Sequence, residues 1–472
     1  MRRKIAFKFI GKVLVGFSIL FLFPSIVSVI CRSSLIPFII PQAISLIIGL
    51  LLNRIKVEEK NYFAKDGFFI VSLSWILISI IGCLPFVING DCNFIDALFE
   101  TVSGFTTTGA TIFKDVEVLD KSILFWRSFS HFIGGMGVLA FVMTIIPLAS
   151  NDKSMHLLKA EMPGPKVAKI VPNMRTTLLY LYLIYIGLTF TEFVLLIISG
   201  MNIFDSLLLS FGTAGTGGFS VLNSSLASYS VFSKVVVALF MFLFGVNFNV
   251  YYLILVKKIK SAFKSEELRV YALLYVFAVI LVVCNTLPLI GNLGETVLQA
   301  VFHVSSFMTS TGYSIGDVNI YPTNCKVIIL LLMLISACAG STCGGFKISR
   351  LVICVKCIIR DLRKIIYPNR VEAIRFEGQI VSDEVVKSTN VFLFLYAILI
   401  IFIMFIVSFD GYSLETTINA VFTTFANVGL SFRINNFSMF SDLSKVVMSL
   451  GMLLGRLEIF PLISLFIDFK GK

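Results

Sequence analysis

The sequence predicts an all-α membrane protein with ten transmembrane helices, in which the last eight helices form four pseudo-symmetric units of similar design. Three observations predict this fold. Of the 472 residues, 57% are hydrophobic and only 14% are charged. Apolar runs of about 20 residues, the length that spans a bilayer as a helix, recur along the chain, and one glycine-centred pattern recurs once in each predicted unit.

The low charge content excludes several classes of protein. Soluble domains carry roughly 25% charged residues, so a soluble enzyme, a disordered chain or a secreted disulfide scaffold does not fit a mean hydropathy of +0.95. The formal net charge of +12 would suit a nucleic-acid partner in a soluble protein, but in a membrane protein basic residues accumulate in cytoplasmic loops. We therefore expect membrane lipid, and no nucleic acid, around this chain. The nine cysteines have neither zinc-site nor disulfide spacing.

The apolar runs set the order of the elements. Two extra transmembrane helices are predicted within residues 1–60, because no signal-peptide cleavage motif follows the basic start of the chain. The four units follow at 61–152, 153–262, 263–380 and 381–472. The ten predicted spans lie near 13–30, 35–52, 68–88, 122–149, 176–199, 231–256, 270–290, 324–355, 389–409 and 443–468.

The placement of charged residues predicts the orientation. Basic residues concentrate in the N-terminal tail, in alternate loops and in a long segment from Arg350 to Lys387, whereas the other loops carry acids. Because Lys and Arg accumulate on the cytoplasmic side, both termini are predicted to be cytoplasmic. External acids would attract cations, although a merely solvated surface is an equal alternative. These acids are Asp91, Asp96, Glu100, Asp115, Glu117, Asp205, Glu295, Asp317, Asp410 and Glu415.

Each unit contains a short mixed segment followed by a glycine-centred stretch. The short segments, near 93–106, 203–213, 295–308 and 414–425, are too short and too polar to cross a bilayer. Each is therefore predicted to be a half-helix that enters the membrane from outside. Asp96 and Asp205 are predicted to cap two of these half-helices rather than to bind an ion. The key glycines are Gly109, Gly218, Gly312 and Gly429, which are 109, 94 and 117 residues apart.

The residues around these glycines suit a site for a monovalent cation. A chain inside a bilayer can leave helical geometry only where its carbonyls face water, protein or an ion. Glycine allows conformations that turn successive carbonyls to one side, and four such segments around one ion pore would replace a cation's hydration shell. Close helix packing is the alternative, but four matched positions favour a filter. Its predicted residues are Thr107, Thr108, Gly109, Thr216, Gly217, Gly218, Ser310, Thr311, Gly312, Asn427, Val428 and Gly429.

With these motifs the chain resembles the Trk/Ktr/HKT superfamily of potassium transporters, and most closely its Trk-type (TrkH-like) membrane subunits. Further motifs that carry the resemblance lie at 131–137, 339–347 and 455–458. The resemblance implies a homodimer in the bacterial inner membrane that takes up K⁺ without a cofactor. It also implies a cytosolic nucleotide-binding regulatory subunit. Glycine at all four key positions implies a preference for K⁺, since serine there is linked to Na⁺ in HKT relatives.

A break in the third unit is predicted to act as a gate. Small residues interrupt the inner helix of this unit, and such residues weaken a membrane helix. The resemblance implies that this stretch is a gating loop below the filter, whereas a packing kink without a gating role is the alternative. The stretch comprises Gly340, Ser341, Thr342, Cys343, Gly344 and Gly345, with Cys343 where the family usually has glycine.

Arg456 lies deep in the last predicted span. A charge inside a membrane is costly and marks a functional site by default, and the resemblance implies that Arg456 projects into the pore below the filter. A counter-ion at Glu458 is one alternative. Pairing of Arg456 with carbonyls of a neighbouring loop is another, and the two roles are compatible.

The sequence leaves alternatives to a gated, channel-like K⁺ pathway. A symporter of the same fold would couple K⁺ to Na⁺ or H⁺, and these motifs do not fix whether Rb⁺, Na⁺ or NH₄⁺ also pass. A neutral-solute transporter would have two inverted halves rather than four like units. An intramembrane enzyme would need a catalytic dyad or a metal cluster, and neither pattern is found in the sequence.

Overall fold

The structure, a computed structural model, describes residues 3–57, 64–137, 174–369, 372–434, 436–457 and 459–466. In these ranges the regular structure is helical, as predicted, apart from two short antiparallel strands, β1 (Arg375–Phe376) and β2 (Gln379–Ile380). The end of the predicted span 122–149, the basic loop after it and Glu458 lie outside the described residues. The helices up to residue 255 are α1 (Arg3–Leu20), α2 (Leu22–Cys31), α3 (Ile36–Asn53), α4 (Ala64–Gly82), α5 (Leu84–Asn89), α6 (Phe94–Phe105), α7 (Lys121–Gly135), α8 (Met174–Ile198), α9 (Ile203–Gly215), α10 (Val231–Phe244) and α11 (Phe248–Leu255). The later helices are α12 (Ile259–Phe263), α13 (Glu266–Ile290), α14 (Leu293–Met308), α15 (Thr323–Ile335), α16 (Ile348–Ile366), α17 (Asp383–Val407), α18 (Leu414–Phe425), α19 (Asp442–Arg456) and α20 (Ile459–Phe466).

Several of these helices are long and apolar enough to cross a membrane. Within the described ranges there are six such stretches, or seven if the bent pair of α10 and α11 counts as one span. Other predicted spans contain shorter helices, since α7, α15 and α19 have 15, 13 and 15 residues. The total of ten spans therefore stays a prediction. The six stretches are Lys4–Cys31, Ile36–Asn53, Asp66–Asn89, Leu179–Ile198, Glu266–Ile290 and Asp383–Asp410.

The predicted span at 231–256 is not one straight helix. Its two parts, α10 and α11, are bent by 91° across the break at 245–247. The peptide groups at the break bond to a distant loop of the third unit: Cys338 N–H donates to Gly245 O at 3.1 Å, and Phe248 N–H donates to Gly340 O at 3.0 Å. These bonds replace helical ones, so the buried backbone stays paired. The sequence gives no signal of this bend, because the partners that stabilise it lie far away in sequence.

The break predicted in span 324–355 is present and longer than its glycine-rich centre. Helix α15 ends at Ile335 and α16 begins at Ile348, so the loop covers 336–347. Its ends have strained backbone conformations, with φ of +61° at Ser336 and +79° at Lys347. Non-glycine residues seldom adopt positive φ, and surrounding contacts must therefore hold this loop.

Four short helices, α6, α9, α14 and α18, occupy the segments predicted as half-helices and have 12 to 16 residues each. Their N-caps differ from the expectation. Asn93 and Asn202, rather than Asp96 and Asp205, accept the backbone N–H groups of the first turn. Each aspartate instead accepts a hydrogen bond from the capping asparagine, at 3.0 and 2.6 Å respectively. The acids still lie where the helix dipole favours them.

The N-terminal helices attach to the first unit through aromatic packing. The ring of Trp126 on α7 stacks on Phe21, the residue between α1 and α2, with centroids 4.8 Å apart, and also contacts Phe17 and Phe38. Trp126 Nε1–H donates to Gly82 O at 3.0 Å, so the indole is buried with its polar atom satisfied. This cluster links α1, α2, α3, α4 and α7 around one side chain.

Helices α1 and α3 pack closely through glycine. A β-carbon added at Gly49 would lie 2.9 Å from Gly11 O and 2.9 Å from Val15 N, closer than packed atoms approach. Small residues let membrane helices approach at their backbones. Gly187 on α8, in contrast, has open space around its α-carbon.

We expect Gly49→Ala to lower the thermal unfolding temperature of the purified protein, because the added methyl group forces α1 and α3 apart at a cost of about 1–3 kcal/mol. Gly187→Ala is the matched control and should leave that temperature unchanged or raise it slightly, because alanine favours a helix. Equal unfolding temperatures for the two variants would contradict the close packing of α1 on α3.

Candidate functional site

The four glycine segments share one backbone conformation. Numbered 1 to 4 in chain order, they are 107–109, 216–218, 310–312 and 427–429, and each follows the C-terminus of a short helix. In each segment the first and third residues have positive φ and the second does not. The φ values are +55° and +80° at Thr107 and Gly109, +55° and +78° at Thr216 and Gly218, +52° and +81° at Ser310 and Gly312, and +56° and +78° at Asn427 and Gly429.

The first positive φ in each segment ends the short helix in a Schellman motif. The residue before each key glycine donates its N–H to the carbonyl five residues earlier, at 2.8 to 2.9 Å. These bonds satisfy carbonyls that a helix C-terminus leaves free. The donor–acceptor pairs are Thr108 to Ser103, Gly217 to Gly212, Thr311 to Ser306, and Val428 to Thr423.

The segments form a closed ring in the order 1-2-3-4. Each key glycine lies so close to the next segment that an added β-carbon would overlap a carbonyl oxygen there, and the last segment meets the first. Segments 1 and 3 are therefore diagonal to each other across a common axis. The glycine and carbonyl pairs are Gly109 with Gly217, Gly218 with Thr311, Gly312 with Val428, and Gly429 with Thr108.

A cavity of about 510 Å³ lies on one side of the ring. All four key glycines line it, and so does the hydroxyl residue two positions after each glycine, which gives the cavity a polar wall. Near its rim, Asn223 donates to Asp115 at 2.7 Å, and this hydrogen bond, with one from Glu117 N–H, lowers the pKa of the Asp115 carboxyl. The hydroxyl residues are Thr111, Ser220, Ser314 and Ser431.

The loop at 336–347 lies on the other side of the ring. Its Gly344 N–H donates to Ser310 Oγ at 3.1 Å, and a β-carbon at Gly344 would lie 2.7 Å from Asn427 Oδ1. Both partners are the first residues of their segments, whereas the cavity is lined by the third residues and those beyond. The predicted gate residues 340–345 are thus next to the predicted filter residues.

Arg456 bonds to carbonyls from two different units. Its guanidinium donates to Thr342 O in the loop, and to Gly134 O and Gly135 O at 2.5 and 2.7 Å. The side chain is only 8% exposed. Since Gly134 and Gly135 belong to the first unit and Thr342 to the third, Arg456 joins two diagonal units from its place on α19 in the fourth. Pairing with carbonyls, one of the alternatives considered for this residue, is therefore present.

Glu267 is a buried residue that the sequence did not single out. Its Oε1 accepts Ala339 N–H at 2.7 Å and Ser349 N–H at 3.2 Å, and its Oε2 accepts Asn247 Nδ2–H at 3.3 Å. One carboxyl group thus bonds the loop, the first turn of α16 that follows it, and the break between α10 and α11. Its position in the first turn of α13, where acids commonly occur for helix stability, gave no signal of this role.

The sequence predicted that Glu100 is an exposed acid of an external loop, and the structure contradicts this prediction. The side chain is fully buried and pairs with Arg127, whose Nε lies 2.8 Å from Glu100 Oε1. Asp96 also has a basic partner, since Lys445 Nζ lies 2.6 Å from Asp96 Oδ1. Both cations follow their partners by more than 20 residues, so local charge patterning could not reveal the pairs.

A family model described as a cation transport protein, TrkH, matches residues 38–470. The chain belongs to the TrkH family. It is 35% identical to the Trk system potassium uptake protein TrkG of Escherichia coli (strain K12) over 414 residues, which cover 86% of this chain and 85% of the relative. It is 30% identical to the Trk system potassium uptake protein TrkH of the same organism over 472 residues, 97% of each chain.

The likeness extends to three dimensions. The crystal structure of the potassium transporter TrkH from Vibrio parahaemolyticus matches with a TM-score of 0.88 and 28% identity, and the match covers 99% of both chains. Membership of the TrkH family confirms the resemblance seen in the sequence. The chain is a transport protein and not an enzyme.

We expect Gly312→Ala to destabilise the ring, because alanine is strained at a φ of +81° and its methyl group would overlap Val428 O. A positive φ alone costs about 1–3 kcal/mol for a residue other than glycine. Gly316→Ala, four residues later with open space and no positive φ, is the control. A lower thermal unfolding temperature for Gly312→Ala than for Gly316→Ala is the expected result, and equal values would argue against this close approach.

Proposed function

We propose that this TrkH-family chain takes up K⁺ across the bacterial inner membrane through a gated, channel-like pore. The closed ring of four glycine segments is the observation that carries the proposal. A ring of backbone carbonyls at the C-terminal ends of four short helices offers oxygens in place of a cation's hydration shell, and the negative ends of the helix dipoles favour a cation there. The relatives TrkG and TrkH of Escherichia coli are potassium uptake proteins by name, which supports K⁺ as the ion.

In this proposal K⁺ enters the cavity, loses water at the ring and then meets the loop. Coordination is assigned to carbonyls of residues 107–109, 216–218, 310–312 and 427–429. Hydroxyl groups in the cavity wall and the external acids that remain exposed, such as Asp317, raise the local concentration of cations. Glycine at all four key positions favours K⁺ over Na⁺, and no cofactor is needed because the chemistry is only dehydration and rehydration.

The gate is assigned to the loop at 340–345 together with Arg456. The loop lies against the ring, and Arg456 holds it to the first unit across the proposed path. A guanidinium on the path repels an incoming cation, so a closed state is expected when these bonds are intact. Glu267 bonds Ala339 in the same loop and Ser349 just after it, which makes it a positioning residue for the gate.

The proposed topology has ten spans with both termini cytoplasmic. Residues 1–60 supply two extra helices, and the units at 61–152, 153–262, 263–380 and 381–472 each supply an outer helix, a pore loop and an inner helix. We propose a homodimer that binds a cytosolic nucleotide-binding regulatory subunit through its basic cytoplasmic face. The matched four-unit arrangement of the ring favours this topology over two inverted halves.

Gly109→Ser should reduce the discrimination between K⁺ and Na⁺ by about tenfold, which corresponds to a loss of about 1.4 kcal/mol in ion coordination. The reason is that the side chain would displace Gly217 O, a predicted coordinating oxygen. Flux of K⁺ and Na⁺ into liposomes measures this ratio, and Gly316→Ser is the control. A ratio equal to that of the unmodified protein would contradict the filter.

Repeating the K⁺ flux measurement with and without a Na⁺ gradient tests whether K⁺ transport is coupled to Na⁺.

Arg456→Gln should raise Rb⁺ flux into liposomes by about tenfold in the absence of any cytosolic partner, because it removes a positive charge from the cation path. Arg363→Gln is the control, since Arg363 is exposed, lies far along the chain from the ring and pairs with Glu372 at 2.7 Å. Its flux should be unchanged. A monodisperse Arg456→Gln protein with unchanged or lower flux would contradict the proposed role of this arginine.

A further inference from the structure

The first unit has a charged pair at positions where the other units have none. Nine residues before the key glycine the four units carry Glu100, Leu209, His303 and Ala420, and all four side chains are buried. The seventh residue of the α-helix that follows each ring segment is also buried. In units 1 to 4 in turn, this residue is Arg127, Val237, Ile329 and Met448.

The pair of Glu100 and Arg127 lies directly behind the outer end of the ring. Glu100 Oε2 accepts Ile112 N–H at 2.9 Å, and Glu100 Oε1 accepts a hydrogen bond from Thr111 Oγ1 at 3.0 Å. Ile112 and Thr111 are the third and second residues after Gly109. The carboxylate therefore fixes the chain where segment 1 leaves the ring.

Arg127 connects the residues that follow segment 1 to those that follow segment 2. Its Nη2 lies 3.2 Å from Thr111 Oγ1, and its Nη1 lies 3.4 Å from Ser220 O. The guanidinium carbon is 4.2 Å from the centroid of the Phe219 ring, within range of a cation–π contact. One planar side chain thus sets the distance between the outer ends of segments 1 and 2, and it also borders the cavity.

The third unit, which is diagonal to the first, shows that the backbone after a ring segment can be bonded without an ion pair. His303 Nε2 accepts Ile315 N–H at 3.3 Å, and Ile315 is the third residue after Gly312, just as Ile112 is the third after Gly109. At the position that corresponds to Arg127, the helix that follows carries the buried, apolar Ile329. A buried ion pair is costly to form, so its presence in the first unit alone indicates a use beyond anchoring the chain.

We infer that Glu100 and Arg127 are specificity-determining positioning residues of the filter. The pair sets the spacing of carbonyls between segments 1 and 2, and Glu100 neutralises the guanidinium beside the cation path. This inference rests on the proposed function. A wider or more mobile ring on this side would accept ions of different size more equally, so discrimination between K⁺ and Na⁺ depends on the pair.

The double variant Glu100→His with Arg127→Ile tests the inference, because it gives the first unit the two residues that the third unit carries. Arg127→Lys is the second variant: it keeps the charge but loses the planar fork that reaches Thr111 and Ser220 together. The control is Arg363→Met with Glu372→Gln, which removes an ion pair of 2.7 Å far along the chain from the ring. Each purified protein is checked for monodispersity and then for K⁺ and Na⁺ flux in liposomes.

We expect the double variant and Arg127→Lys to lower the K⁺/Na⁺ flux ratio by about tenfold while K⁺ flux itself falls by less, and the control to match the unmodified protein. An unchanged ratio in whichever of the two variants is monodisperse overturns the inference. Gly109→Ser is measured in parallel. If its ratio changes and those of the pair variants do not, the pair is structural and the filter stands; if no variant changes the ratio, the proposed filter itself fails.

Discussion

The structure depends on one constraint: within a membrane every backbone polar group needs a partner. At each of the four glycine segments the chain leaves helical geometry and so frees several such groups. The Schellman end of each short helix pairs some of them again within the segment. One carbonyl of each segment lies against the key glycine of the preceding segment around the ring. The proposed ion site is therefore the place where the unpaired oxygens of four chain breaks meet.

The other breaks in the fold obey the same constraint with different partners. The bend between α10 and α11 and the loop at 336–347 exchange backbone hydrogen bonds, so each supplies what the other lacks. Two charged side chains bond further backbone groups of the loop. Glu267 accepts a hydrogen bond from a backbone N–H of the loop, and Arg456 donates one to a backbone carbonyl. A movement that opened the loop would have to break bonds to both side chains. The bend between α10 and α11 and the fold of the loop therefore stabilise each other.

Much of the fold could be read from the sequence because its signals are local. Apolar length marks the long helices, and a glycine with small polar neighbours marks each ring segment and the loop. The parts that could not be read depend on distant partners. The bend at 245–247 is stabilised by residues near 338–340, and the charge of Glu100 is matched by Arg127 from another helix. The charge pattern predicted Glu100 to lie in an external loop, because the sequence alone does not distinguish a buried ion pair from two solvated charges.

The closed ring of glycine contacts also has a consequence for how such a chain can change over evolutionary time. In a pore built from four identical subunits, one substitution appears four times, so every quadrant must tolerate it. Here the quadrants are covalently joined and encoded separately, and a glycine contact of the same kind recurs between each quadrant and the next. Outside those contacts, each quadrant is free to acquire its own feature. The first quadrant has the buried ion pair, the second a bent helix, the third a broken helix and the fourth Arg456, and all four surround the same axis.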